Sequence, residues 1–259
     1  MRAIEGMSVL VTGASSGIGA ETVRHLASQG ARVTASARRQ DRLDDLAREV
    51  GPNCRVIAGD VTVQADRIAM VDAALDHGGG IDALVNNAGA MFRQPVAGYT
   101  EDHLRQAFET NVISGMMLSS IALDHLARGE GAIIFIGSTH TRRAFAGASP
   151  YATTKAAVEG LTRVMAAELG PRKVRVNCVL PGAVITELNT SAGVMRPEDI
   201  EERYAAIAQE HVLGRIGTAR EIAEAIEYLV RAEWVTGVAL EVDGGIGLGV
   251  SAGVAGKGK

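Results

Sequence analysis

Short runs of β-branched and other apolar residues recur along the chain: Ser8 to Thr12, Ala31 to Ala35, Arg55 to Ala58, Ala83 to Asn86, Ala132 to Gly137, Val174 to Leu180 and Val238 to Val242. They read as seven buried strands. The segments between them place apolar residues at helical spacing: Ala20 to Gln29, Asp41 to Val50, Gln64 to Asp76, Asp102 to Leu126, Tyr151 to Leu169 and Ala219 to Leu229.

Strands that alternate with helices are joined by right-handed crossovers. The pattern therefore predicts an α/β fold, a doubly wound (Rossmann) parallel seven-stranded sheet with helices on both faces. Such sheets bind ligands beyond the carboxyl ends of their strands. The stretch Ile185 to His211 breaks the alternation, being polar at first and helical only later, and reads as an inserted lid. No internal repeat or linker divides the chain. A single domain over residues 1–249 is expected, followed by a Gly-, Ala- and Lys-rich tail over 250–259.

Composition narrows the function. The 259 residues are 47% hydrophobic with few aromatics, so the core must be built from Val, Ile, Leu and Ala. A net charge of −4 offers no large basic field, which argues against nucleic acid as a partner. Cys54 and Cys178 lack metal or redox spacing and read as reduced core thiols, and no metal site is expected. No leader segment and no long apolar run appears, so a cytoplasmic protein without a membrane partner is expected.

A glycine-rich turn, Thr12-Gly13-Ala14-Ser15-Ser16-Gly17-Ile18-Gly19, follows the first strand and opens a helix. Free N–H groups and the helix dipole favour a pyrophosphate there. Gly13, Ser15, Ser16, Gly17, Ile18 and Gly19 thus become candidate cofactor contacts. The spacing GxxxGxG differs from the general dinucleotide fingerprint.

At the end of the second strand stand Arg38 and Arg39, with no carboxylate to accept ribose hydroxyls. Arg38 can pair with a 2′-phosphate, so NADP(H) is preferred and NAD(H) remains possible. Both arginines can also be read as a solvated face. Asp60 and Val61 end the third strand, where Asp60 either accepts from an adenine amino group, with Val61 on the ring, or caps a turn. Asn86-Asn87-Ala88-Gly89 closes the fourth strand. Asn87, Ala88 and Gly89 join the candidate cofactor set, Asn87 in a chiefly structural part, with Asn86 nearby.

Tyr151 and Lys155 lie one helical turn apart and share a face. A carbonyl that accepts hydride must also receive a proton, and a nearby ammonium lowers a phenol's pKa. Ser138 closes the fifth strand, where its hydroxyl can donate to a substrate oxygen. Asn111 interrupts an apolar helix, and its amide needs partners: either a water chain to Lys155 or an interhelical hydrogen bond.

Together TGASSGIG, NNAG, the Asn111 helix, Ser138, YATTK, Pro181-Gly182 and VTGVALEVDGG resemble the short-chain dehydrogenase/reductase family from about Met7 to Gly249. The resemblance implies an oxidoreductase that transfers the pro-S hydride of a nicotinamide. Tyr151 would be acid/base, Lys155 would lower its pKa, Ser138 would orient substrate and Asn111 would sustain a proton relay. Pro181, Gly182, Val184 and Thr186 would approach the nicotinamide, and Tyr151 and Lys155 would also meet cofactor. It implies a homotetramer or homodimer built on the two long helices. Thr218 departs from a commoner Pro and should affect only a turn. His140 and Arg142 or Arg143 are less typical; His140 and Leu188 are candidate substrate contacts, and all three loop residues can be read as surface charge.

A ketone or aldehyde reductase acting on a small-molecule carbonyl or alcohol is the reading these residues favour. An NAD-dependent alcohol dehydrogenase, an enoyl reductase and a nucleotide-sensing regulator are the alternatives. Arg38 argues against the first, the four-residue Tyr to Lys spacing against the second, and the complete Ser, Tyr and Lys set against the third. The lid mixes Leu188, Val194, Met195 and Tyr204 with acids, which points to a medium-sized, partly apolar carbonyl: a steroid, a 3-oxoacyl thioester, a sugar or a polyketide.

Overall fold

A computed structural model of the chain describes residues 1–187 and 200–249. The expected tail over 250–259 and the middle of the expected lid, Leu188 included, lie outside the described residues.

Seven parallel strands form one sheet: β1 (Ser8–Thr12), β2 (Arg32–Ala37), β3 (Cys54–Ala58), β4 (Ala83–Asn86), β5 (Ala132–Ile136), β6 (Arg175–Pro181) and β7 (Ala239–Val242). Their order is β3-β2-β1-β4-β5-β6-β7. Helices α1 (Gly17–Ser28), α2 (Gln40–Val50), α3 (Gln64–Gly78), α4 (Glu101–Phe108), α5 (Ser114–Arg128), α6 (Ser149–Leu169), α7 (Ile200–Ala208) and α8 (Ala219–Arg231) supply most of the covering layers.

Period-two alternation decides which strand residue enters which layer. Val9, Val11 and Ile134 face a core shared with Val23 and Leu26 of α1 and Ile222, Ile226 and Leu229 of α8. Leu10, Ile133 and Phe135 face the opposite core, with Met70 of α3, Leu118 and Leu126 of α5 and Val158 of α6. This is the doubly wound arrangement. The order reverses between β1 and β4, so the crevice for a ligand opens at their carboxyl ends.

Two local expectations change. The helix expected from Asp102 to Leu126 is interrupted by a π-turn at Glu109–Ile113, which separates α4 from α5 and carries the buried Asn111. Such turns insert a residue into the helical ladder and re-aim side chains. Thr218 is more than a turn residue. It caps α8 in a reciprocal box, its hydroxyl accepting from the Glu221 N–H at 3.3 Å while the Glu221 carboxylate accepts from the Thr218 N–H at 2.9 Å. At the other end of α8, the buried Arg175 guanidinium donates to the carbonyls of Leu229, Val230 and Ala232 at 2.7, 2.6 and 2.9 Å and so satisfies the helix terminus.

Cys54 and Cys178 are free and buried. Burial pushes their thiols up to about 11 and about 12, which leaves them protonated and inert. Among the described residues, no helix is long and apolar enough to cross a membrane.

Candidate active site

The glycine-rich turn joins β1 to α1 at the crevice. Gly13 has φ +66° and Gly17 has φ +54°, a region that glycine enters without steric cost. A Cβ on Gly19 would lie 2.3 Å from the Gly13 carbonyl oxygen and 2.5 Å from Asn87 Nδ2. Turn, helix start and β4 end are therefore packed too closely for any side chain. No acidic residue stands in the first turn of α1, so that turn brings no negative charge of its own against a phosphate. Residues Gly13 to Gly19 thus form a cradle that fits a dinucleotide's phosphates.

The end of β4 is stitched to β1. Thr12 Oγ1 accepts from the N–H groups of Asn87 and Ala88 at 3.1 and 3.0 Å, and Asn87 Nδ2 donates to the Thr12 carbonyl at 2.8 Å. The Asn87 side chain is thereby committed to the backbone. Asn86 turns its amide into the helix layer, donating to Ser119 Oγ at 3.1 Å. Gly89 faces the cleft: a Cβ there would sit 3.2 Å from Asn111 Oδ1 and 3.5 Å from Lys155 Nζ.

The two arginines separate. Arg38 is 80% exposed and stands 3.8 Å from Asp60 Oδ2. Arg39 reaches back over the turn, its Nε and Nη2 donating to Ser15 Oγ at 3.1 and 3.0 Å and Nη2 also to Ser16 Oγ at 2.8 Å. Arg39 further pairs with Glu187 at 3.0 Å. Of the two readings of Asp60, the turn cap is present: Oδ1 accepts from the Thr62 N–H and hydroxyl at 2.9 and 2.8 Å. Burial is the largest single effect and raises its carboxyl, but the two Thr62 bonds and Arg38 together outweigh it and hold the carboxyl below the usual range.

Tyr151 and Lys155 both project from the first turns of α6 into the buried end of β5. Lys155 Nζ lies 5.6 Å from the Tyr151 ring centroid and donates to the Ile136 carbonyl at 2.7 Å. Burial pushes the Tyr151 phenol up to about 12, against the pull of its hydrogen bond with Ser138. Burial likewise pushes Lys155 down to about 8. Burial is the larger effect on both groups here, disfavouring both charged forms, and it works against the expected lowering of the Tyr151 pKa by Lys155.

Asn111 makes interhelical and loop bonds rather than a direct one to Lys155. Its Nδ2 donates to Thr154 Oγ1 of α6 at 3.0 Å and to the Ala90 carbonyl at 3.0 Å. A small cavity of about 10 Å³ touches Asn111, Ser114, Asn86 and Lys155, room for about one water between the amide and the ammonium.

Pro181 ends β6 and its carbonyl accepts from Thr139 Oγ1 at 3.2 Å. Gly182 follows, packed so that a Cβ would meet the Asp243 backbone at 2.7 Å. Val184 bridges to Gly217, and the Thr186 methyl lies 3.1 Å from where a Gly17 Cβ would stand. The β6 segment thus closes against the phosphate turn. Ile18 packs against the core face of the sheet, and Val61 lines the small cavity.

His140 is drawn against Ser138 and Tyr151. Its Nδ1 is 3.0 Å from Ser138 Oγ, and its ring meets that of Tyr151 edge-on at 5.1 Å and lies 4.4 Å from that of Phe145. Burial, with the charges of Arg93 and Lys155, pushes the imidazole down to about 4. Arg142 turns away from the cleft to Glu159 and Glu241 at 2.9 and 2.6 Å, and Arg143 pairs with Glu210 at 3.1 Å. Phe145 and Thr154 escaped the reading of the sequence. Phe145 is the one aromatic in a small and polar loop, and Thr154 stands within YATTK, where only the spacing of Tyr151 and Lys155 carried meaning.

Residues 13–247 match a family model described as enoyl-(acyl carrier protein) reductase. The chain is 38% identical to the L-xylulose reductase of Homo sapiens over 93% of its own length and 97% of that protein. It is 36% identical to a 3-oxoacyl-(acyl-carrier-protein) reductase of Vibrio cholerae, over 94% of this chain and 98% of the relative. The solved structure of 3-ketoacyl-(acyl-carrier-protein) reductase from Brucella melitensis complexed with NADH superposes with a TM-score of 0.86. It is 30% identical and covers 94% of this chain and 99% of its own.

Proposed function

The chain belongs to the short-chain dehydrogenase/reductase family of oxidoreductases, and on that premise we propose that it reduces a ketone or aldehyde at the expense of NADPH. One observation carries the reading. Ser138, Tyr151 and Lys155 converge at the carboxyl end of β5, across the crevice from a turn shaped for phosphate.

When bound, the reduced nicotinamide supplies a hydride to the carbonyl carbon. Tyr151, with its phenol pushed up to about 12, carries its proton at neutral pH and can hand it to the carbonyl oxygen. Ser138 holds that oxygen through its hydroxyl. Lys155 keeps an ammonium near the phenol ring, where it stabilises the phenolate left behind. Asn111 fixes the loop after β4 and borders the water-sized cavity through which Tyr151 and Lys155 would be reprotonated.

Gly13 to Gly19, braced by Arg39, would hold the pyrophosphate, and Arg38 the 2′-phosphate of NADP(H). Val61, Ala88, Gly89, Pro181, Gly182, Val184 and Thr186 would shape the rest of the dinucleotide site. The Brucella relative was crystallised with NADH, which favours NAD(H) as the second reading. The relatives named for L-xylulose and 3-oxoacyl thioesters make a ketose and a 3-oxoacyl thioester the first substrates to try.

We further propose a single-domain cytoplasmic protein that assembles as a homotetramer or homodimer. Exposed Phe108, Ile113, Met116, Met117 and Val164 on and around α5 and α6 support that assembly. The deciding experiment is titration with NADPH and NADH, then a carbonyl panel followed by cofactor oxidation. Tighter binding of NADPH with turnover is expected; binding of neither cofactor would refute the proposal.

A further inference from the structure

We infer that His140 is a positioning residue that fixes the Ser138 hydroxyl as a hydrogen-bond donor toward the reacting oxygen, an assignment that rests on the carbonyl-reductase reading above.

A serine hydroxyl has one proton to give and two acceptor positions. His140 meets Ser138 Oγ twice, through its backbone N–H at 3.2 Å and through ring Nδ1 at 3.0 Å. The Tyr151 phenol is a further hydrogen-bond partner of the Ser138 hydroxyl. For that single proton to reach a substrate oxygen, as the reductase reading requires, Nδ1 must carry the proton of the His140 contact. Both acceptor positions are then filled from His140, and the proton of Ser138 has only the cleft to point into. The opposite tautomer would draw that proton onto the imidazole and leave Ser138 nothing to offer a substrate oxygen.

The surroundings hold the ring in place. Phe145 lies on one side at 4.4 Å and Tyr151 stands edge-on at 5.1 Å. Burial, with Arg93 and Lys155 nearby, keeps the imidazole neutral at ordinary pH. The loop that carries it is anchored two residues on. Arg142 places Nη1 and Nη2 on the two oxygens of Glu159, both at 2.9 Å, and Nε on Glu241 at 2.6 Å, a fork geometry that resists rotation. His140 was expected as a substrate contact; its bonds hold it against the serine.

A double-mutant cycle on the full-length enzyme tests the assignment, with kcat, KM and NADPH affinity measured for wild type, His140→Leu, Ser138→Ala and the pair. His140→Leu should lower kcat by about 10- to 100-fold in the wild-type background and by less than about 3-fold in the Ser138→Ala background. NADPH affinity should hold throughout. His140→Asn, whose amide can donate from near the Nδ1 position, should recover most of kcat. Should the leucine variant fail to fold, His140→Phe replaces it in the same cycle. Equal losses in both backgrounds, or no loss at all, would overturn this assignment while leaving the reductase intact. Absence of NADPH-dependent turnover in the wild type would overturn the proposed function and this assignment with it.

Discussion

Asn111 of the π-turn and Ala90 of the loop after β4 hold each other by two hydrogen bonds, Oδ1 accepting from the Ala90 N–H at 2.9 Å and Nδ2 donating to the Ala90 carbonyl at 3.0 Å. The same amide donates to Thr154 one helix away. One side chain therefore ties the loop after β4 to the helix of Tyr151. Asn111→Leu would strand these buried groups and should cost about 3 kcal/mol. Calorimetry should show a clear fall in Tm. Asn111→Asp keeps only the acceptor and should also destabilise, and wild-type stability in both would contradict the tie.

Removal of the phenol proton separates chemistry from binding. Tyr151→Phe should lower kcat by about 10²- to 10⁴-fold, the range of a general acid, and leave the NADPH dissociation constant nearly unchanged. Steady-state rates and a fluorescence titration on the same preparation check both halves. Retained turnover would refute the assigned acid.

The separation of Arg38 from Arg39 predicts distinct effects. Arg38 is solvent-facing near Asp60, free to meet a 2′-phosphate, so Arg38→Asp should shift the affinity ratio from NADPH toward NADH by about 10²-fold, as loss of a charged contact plus repulsion implies. Arg39 grips the turn itself through Ser15 and Ser16. Arg39→Ala should weaken both dinucleotides. Identical ratios in wild type and Arg38→Asp would remove that residue from the cofactor site.

The cap of α8 sets a pH dependence. The hydrogen bond from Arg215, with those from Thr218, pulls the Glu221 carboxyl from 4.5 down to about 2. A carboxyl lowered in the folded state stabilises at pH above its unfolded value and loses that contribution as pH falls from about 4.5 toward about 2. Thr218→Ala should cost about 1 kcal/mol at neutral pH. Glu221→Gln should flatten the acid limb of a Tm against pH curve, and an unchanged limb would show the pair to be screened by solvent.

The sheet was legible because its signal is local. Runs such as Ser8 to Thr12 and Ala83 to Asn86 are bounded by glycine and polar residues, and the strands at both places keep those bounds. The Tyr151 and Lys155 pair was legible because a helix carries residues four apart on one face. The break at Glu109–Ile113 was not, since a π-turn depends on what the inserted amide can reach across the fold.

The sequence by itself determined the alternation of strands and helices, the glycine-rich turn and the spacing of Ser138, Tyr151 and Lys155, all of which rest on periodicity and backbone geometry within a few residues. Only the tertiary structure decided that Arg39 rather than Arg38 grips the turn, that burial raises the Tyr151 pKa, and that His140 belongs to Ser138. Each of these depends on desolvation or on a hydrogen bond between segments distant in the chain or turned by a loop. Such interactions have no period to leave in a sequence.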